Sequence, residues 1–344
     1  MSLKKAYAPY FKIGVAVPAF ALRDPKAVEE LCSQYDSFTC ENEMKPQYLL
    51  DRKENQKNPK ERDRSPAVRF DGIRGILDFA VERGLKMRGH TLVWHGQTPW
   101  WFFREGYAEE QDAPLADRET MLARMESYIR SVLTFFQEEY PGLIYAWDVV
   151  NEAVNDGNLR QSLWTKTIGE DYILYAFRFA RKYSAPGVAL FYNDYTTYEP
   201  WKREIICERI LKPLQAEGLI DGMGMQSHLL MDEPAMEQYE EALLAYGALG
   251  LQVQVTELDV HNADPSPASM DALAARYREL FSLLVRAKKE GKANITNVTL
   301  WGLNDDLTWL TGFRREKSYP MLFDGNFAPK KAYHEVLAAA EHSE

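Results

Sequence analysis

Short runs of apolar and β-branched residues alternate along the whole chain with longer stretches whose apolar positions recur every three to four residues. The short runs predict eight strands, at Phe11–Val17, Asp36–Cys40, Leu85–Leu92, Ile144–Val150, Val188–Tyr192, Gly222–Met225, Leu251–Thr256 and Asn297–Leu300. The longer stretches predict helices at Pro25–Tyr35, Phe70–Arg83, Asp117–Tyr140, Asp171–Tyr183, Trp201–Glu217, Ala235–Leu249 and Met270–Glu290, with a last one near Lys331–Glu341. Gly84, Gly218 and Gly250 follow helices, where a left-handed residue closes the last turn, and Asp24 and Asp117 precede helices as N-caps. Eight strands alternating with eight helices imply parallel strands and an α/β fold, the closed (β/α)8 TIM barrel, in a single domain over residues 1–344. The densely charged stretch Asp51–Ala67 lacks periodicity and reads as a solvated loop, or as a loop bordering a site.

In such a barrel the residues just past each strand converge on one face, where active sites lie. The second strand delivers Glu41-Asn42-Glu43-Met44-Lys45, the third His90 through Trp94 and His95, and the fourth Asn151-Glu152. The fifth delivers Asn193-Asp194-Tyr195, the sixth Gln226-Ser227-His228, the seventh Glu257-Leu258-Asp259 and the eighth Trp301. Singly, these residues have plainer explanations: turn chemistry for Asn193-Asp194, a satisfied core histidine for His228, a barrel plug for Trp301. Together they put a hydrogen-bonding or stacking group at nearly every strand end, as recognition of a polyhydroxylated ligand demands. His334 and His342, on the last helix, share no such position. Glu152 and Glu257 each close a hydrophobic run, and two carboxylates on rigid strand ends are the minimum equipment for cleaving a glycosidic bond.

Composition narrows the partners. A formal charge of −10 opposes nucleic acid and anionic membrane, which both need a basic face. Eight Trp, nineteen Tyr and sixteen Phe supply flat surfaces suited to the apolar faces of sugar rings. Three scattered cysteines, Cys32, Cys40 and Cys207, make neither a disulfide framework nor a zinc set. The amino terminus has no apolar core of signal-peptide length, which predicts a cytoplasmic chain, or a secreted one if a leader has been removed. No metal or cofactor is expected.

The motifs Glu41-Asn-Glu-Met-Lys45, Arg88-Gly-His-Thr-Leu-Val-Trp-His95, Trp147-Asp-Val-Val-Asn-Glu-Ala153, Asn193-Asp-Tyr195, Gly224-Met-Gln-Ser-His228, Thr256-Glu-Leu-Asp259 and Trp301-Gly302 resemble, in order, those of glycoside hydrolase family 10, the retaining endo-β-1,4-xylanases. The resemblance runs from about Phe11 to Ala332-Tyr333. It implies xylan or xylo-oligosaccharide as substrate, with Glu152 as general acid/base, its pKa raised, and Glu257 as nucleophile. It further implies that Asn151 bonds the sugar 2-hydroxyl, while His228 and Asp259 orient Glu257 and hold it ionised. Substrate contacts are implied for Glu41, Asn42, Lys45, His90, Trp94, Tyr195, Gln226, Trp301 and Trp309, the two last indoles obstructing a C5 hydroxymethyl. No accessory carbohydrate-binding module is expected in the chain. Pro46 and Thr196 depart from the family pattern, as does the long 51–67 loop, and these changes touch the approach to the glycone subsites rather than the catalytic pair.

Three alternatives remain. A metal-dependent barrel hydrolase could use His90, His95, His228, Glu257 and Asp259, but the paired His-x-His of such barrels is missing. A non-catalytic glycan-binding barrel would have no reason to keep both glutamates with Asn151, His228 and Asp259. A β-1,4-glucanase or aryl β-glycosidase would share the mechanism and change only the substrate.

Overall fold

The computed structural model describes residues 1–341, so His342 lies outside the described residues. Its eight principal strands are β1 (Lys12–Val17), β2 (Ser37–Cys40), β3 (Lys86–Trp94), β4 (Ile144–Asn151), β5 (Ala189–Asp194), β6 (Gly222–Met225), β7 (Gln252–His261) and β8 (Asn294–Leu300). The chain forms two compact units. One holds Cys40–Asp194 and Glu204–Asp221, and the other Met1–Thr39, Tyr195–Arg203 and the residues from Gly222 onward.

In the first unit β3, β4 and β5 lie side by side and parallel, with Trp94 opposite Asn151 and Asn151 opposite Asn193. Near-continuous runs such as Ala146–Asn151 are buried throughout, as strands covered on both faces must be. Helix Tyr172–Tyr183 packs on β4 and on the long helix Arg118–Glu139. Gly89 is required by this packing: a Cβ there would lie 2.3 Å from the Trp147 ring.

In the second unit the parallel order is β6, β7, β8, β1, with Met225 opposite Val255, Val255 opposite Val298 and Val298 opposite Ile13. Helix Pro267–Lys289 packs on Lys331–Glu341. A short helix absent from the sequence expectation, Leu3–Tyr7, joins the chain ends through Tyr7, whose hydroxyl donates to Val336 O at 2.5 Å.

The N-caps are as expected: Asp24 accepts from Lys26 N at 3.0 Å and Asp117 from Thr120 N at 2.7 Å. Three features differ. The 51–67 stretch is not an open loop but contains helices Arg52–Lys57 and Pro59–Arg62. Asn55 is buried there and ties both ends together, donating to Asp51 O and Ala67 O and accepting from Ala67 N. The expected helix Trp201–Glu217 passes through a π-helical stretch, Ile206–Leu211, before Pro213, whose missing N–H breaks the regular ladder. Finally, β3, β4, β5 and β7 run further than their hydrophobic runs, because bulges let the ladder continue past polar residues: register shifts fall between His90 and Val93 and between Val255 and Leu258. Trp94, Asn151, Asp194, Glu257 and Asp259 therefore sit within strands.

Candidate active site

In the first unit Glu152 follows the last residue of β4 and takes a left-handed φ of 56°. A side chain with a Cβ is held there at a cost of about 1 kcal/mol or more. The backbone secures it on both sides: Glu152 N donates to Asn193 O at 2.9 Å, and Arg160 Nε donates to Glu152 O at 2.9 Å. Trp94 Nε1 donates to Glu152 Oε2 at 2.9 Å, and the Trp94 carbonyl accepts from Trp164 Nε1 at 3.1 Å. Asn193 Nδ2 donates to Asn151 Oδ1 at 2.9 Å, which turns the Asn151 amide so that its Nδ2 reaches Glu152 Oε1 at 3.3 Å. His95 Nε2 lies 4.0 Å from Glu152 Oε2.

A polar cluster after β2 is linked to this group. Lys45 Nζ donates to Asn42 Oδ1 at 3.0 Å and Gln97 Oε1 at 2.8 Å, and stands 5.1 Å from the centre of the Trp94 ring. Asn42 Nδ2 reaches Glu41 Oε1 at 3.4 Å. Burial raises the Glu41 pKa, with the Lys45 ammonium opposing it. His90 belongs to a lower layer: its Nδ1 lies 2.9 Å from Asp148 Oδ2, and Arg88 holds the same carboxylate in a buried two-pronged pair.

The second unit builds a different environment. Past Met225 the chain makes a break in which Ser227 takes φ 64°, then resumes as a short strand, His228–Leu230, paired to the end of β7 with His228 opposite Asp259. Glu257 and Asp259 are two apart in β7, so both point to one side. His228 stands against both, with Nε2 3.2 Å from Glu257 Oε2 and Nδ1 3.0 Å from Asp259 Oδ2. Burial alone would lower the His228 pKa, but Asp259 and Glu257 overcome it and push it up to about 10. The imidazole is therefore a cation at neutral pH. Trp309 Nε1 donates to Asp259 Oδ2 at 2.8 Å, placing its ring 4.9 Å from that of His228. Trp301 lies edge-on to His228 at 6.4 Å, and Gln226 O accepts from Glu257 N at 2.9 Å.

Each unit thus gathers its own share of the expected residues: Glu41, Asn42, Lys45, Trp94, Asn151 and Glu152 in one, Gln226, His228, Glu257, Asp259, Trp301 and Trp309 in the other. Lys202 Nζ stands 3.5 Å from the centre of the Tyr195 ring. Gln97, Arg160 and Trp164 carry no sequence signal that assigns them to the site. Asn193 was visible as a strand end. Gln97 carried no periodic signal, because its role follows from a left-handed φ of 39° in a loop. Among the described residues no group of three or more His, Cys, Asp and Glu is arranged to hold a metal ion, and no helix is long and apolar enough to cross a membrane.

Comparison with known proteins places these motifs in context. The family model for glycosyl hydrolase family 10 matches residues 2–339. The chain is 58% identical over 340 residues to endo-1,4-beta-xylanase B of Butyrivibrio fibrisolvens, covering 99% of this chain and 53% of that protein. It is 40% identical over 347 residues to endo-1,4-beta-xylanase A of Thermotoga maritima, covering 98% and 30%. The chain thus spans about half the length of the first relative and under a third of the second. Among solved structures, the CBM22-1 and GH10 modules of the N-terminal endo-1,4-beta-D-xylanase 10B of Clostridium thermocellum, complexed with xylohexaose, superpose with a TM-score of 0.90 at 34% identity. That likeness covers 98% of this chain and 67% of the other, and shows the (β/α)8 barrel fold that the alternating pattern predicts. Both glutamates and every partner described above fall inside the matched stretch, so the chain belongs to glycosyl hydrolase family 10.

Proposed function

We propose that this chain is an endo-1,4-β-xylanase that hydrolyses β-1,4-xylosidic bonds with retention, Glu257 serving as nucleophile and Glu152 as acid/base. The observation that carries the assignment is the position of Glu257 against a protonated His228. A neighbouring cation holds a carboxylate ionised, which is the state a nucleophile needs, and Asp259 on the other side of the ring stabilises that cation. In the first step Glu257 attacks the anomeric carbon while Glu152 gives its proton to the leaving oxygen. In the second, Glu152 takes a proton from water, which attacks the same carbon and releases Glu257. Retention requires the two carboxyl groups to stand about 5–5.5 Å apart across the bond.

The surrounding groups support a xylose chain as substrate. Asn151 Nδ2, oriented by Asn193, is a donor for the sugar 2-hydroxyl beside the bond being cut. Glu41, Asn42 and Lys45 offer charged and amide partners to hydroxyls further along, and Trp94, Trp301 and Trp309 offer stacking faces. Two indoles over one sugar leave little room for a C5 hydroxymethyl, which favours xylose over glucose. The relatives are named as endo-1,4-beta-xylanases, and the Clostridium structure carries xylohexaose.

A proton NMR time course on xylohexaose tests this. Internal cleavage with the β-anomer appearing first is the expected result. The α-anomer first would mean inversion and overturn the roles of the two glutamates, and cleavage of cello-oligosaccharides alone would move the substrate to a β-1,4-glucan.

A further inference from the structure

The ladder between β4 and β5 ends with Asn151 opposite Asn193, and at Glu152 the chain turns away through its left-handed φ. Such a turn takes backbone groups out of the ladder while they are still buried, so each needs another partner. For Glu152 and Ala153, three of the four groups are met by Asn193 and Arg160. Glu152 N donates to Asn193 O, Glu152 O accepts from Arg160 Nε, and Ala153 O accepts from Arg160 N at 2.7 Å. The fourth group, Ala153 N, donates at 3.0 Å to a side chain, the phenol oxygen of Tyr192.

Tyr192 lies on β5 opposite Val150, one residue before Asn193. A phenol can donate or accept, so its use as an acceptor here requires its own proton to be placed elsewhere. Asp194 does this: two residues along the same strand, its side chain projects to the same side as Tyr192, and its Oδ2 accepts from the Tyr192 hydroxyl. The lone pairs of that hydroxyl are then left for Ala153 N. Burial first, and the Asp194 charge second, push the Tyr192 pKa well above its ordinary value, so the phenol keeps its proton. Tyr192, Asp194 and Ala153 are all buried, and solvent does not compete for these groups. Adjacent residues of β5 therefore hold successive residues of the turn: the Asn193 side chain holds Asn151, the Asn193 carbonyl holds Glu152, and the Tyr192 phenol holds Ala153.

We propose that Tyr192, with Asp194 behind it, is a positioning residue for the acid/base Glu152: its phenol oxygen stands in for the strand carbonyl that Ala153 N lacks, and so fixes the turn that aims the Glu152 carboxyl at the leaving oxygen. This rests on the xylanase assignment. A left-handed residue with a Cβ persists only where its surroundings hold it, and the anchor on the next residue is part of that hold. A displacement of about 1 Å in a reacting group costs up to about 10²-fold in rate. A leaving group that departs without a proton is indifferent to where the acid stands.

The test compares kcat/KM on xylohexaose and on a dinitrophenyl β-xylobioside, whose phenolate leaves unprotonated. Since kcat/KM reports only steps up to the first bond cleavage, the later role of Glu152 as base does not enter. Tyr192→Phe should lose about 30-fold on xylohexaose and less than about threefold on the aryl substrate. Asp194→Asn keeps the phenol but loosens the acceptor of its proton, and should show the same selectivity at about fivefold. Glu152→Ala, measured alongside, sets the scale for complete loss of the acid. Equal losses on both substrates in Tyr192→Phe, as a merely structural role would give, or no loss, would overturn the positioning role, while a selective loss in Glu152→Ala would still support the acid/base assignment. If Tyr192→Phe does not fold, Asp194→Asn decides by the same comparison. A wild type that leaves xylohexaose uncut would instead remove the xylanase assignment, and the role of Tyr192 with it.

Discussion

Around Glu257 the carboxylate is held by charge, whereas around Glu152 it is held by backbone geometry and hydrogen-bond donors. Glu257 lies in mid-strand against His228, which Asp259 keeps protonated. Glu152 sits on a left-handed residue at the strand end, with Trp94 and Asn151 as donors. The difference fits the division of labour proposed for the two glutamates. A nucleophile must stay ionised, so a fixed cation serves it. An acid/base must change protonation twice in each turnover, and donors such as an indole and an amide guide it without fixing one state.

The largest effect should come from the glutamates themselves. Glu257→Gln should lower kcat on xylohexaose by roughly 10^4-fold or more, since no nucleophile remains. Glu152→Ala should match that loss on xylohexaose but lose far less in the first step with an aryl xyloside whose phenol leaves without protonation. If both variants responded alike to the better leaving group, the division of roles would be wrong.

The next effect concerns support beneath Glu152. Arg88→Ala leaves Asp148 charged and buried with only His90 beside it, and should destabilise the fold by about 3–5 kcal/mol, read by chemical denaturation. Loss below about 1 kcal/mol would mean that the buried Arg88–Asp148 pair does not hold this part of the fold.

Asp259→Asn removes the charge that keeps His228 protonated and should lower kcat roughly 10²-fold, with the alkaline limb of the rate profile moving to lower pH. Linkage gives a matching stability effect. The folded pKa of about 10 lies above the ordinary 6.5, so the contribution is fully present below pH 6.5 and is lost as pH rises through 10. Thermal unfolding from pH 6.5 to 10 should show that decline in the wild type and less of it in Asp259→Asn.

The smallest effect should be Trp94→Phe. Loss of the indole N–H removes one of two donors that position the Glu152 carboxyl, and kcat on xylohexaose should fall by less than about tenfold with KM nearly unchanged. A rise in KM at unchanged kcat would mean that Trp94 acts on the sugar alone.

Much of this was legible beforehand because strand periodicity and strand-end chemistry are local. The eight strands appear near their expected places, and several of the expected site residues are in contact within each unit: Asn42 with Lys45, Asn151 with Glu152, His228 with Glu257 and Asp259. What was missed depends on backbone turns or on distant partners. Gln97 reaches Lys45 from 52 positions away, and Asn55 folds the charged 51–67 stretch by bonding across 12.

The chain's alternating pattern and its motifs were by themselves sufficient for the fold class and the family, and they single out Glu152 and Glu257 as candidates, because each of these signals is written in neighbouring residues. Only the tertiary structure decided how each carboxylate is held. The charge on His228 comes from burial set against two acids, and the left-handed turn at Glu152 is kept by Asn193 and Arg160, contacts that exist only once distant segments meet.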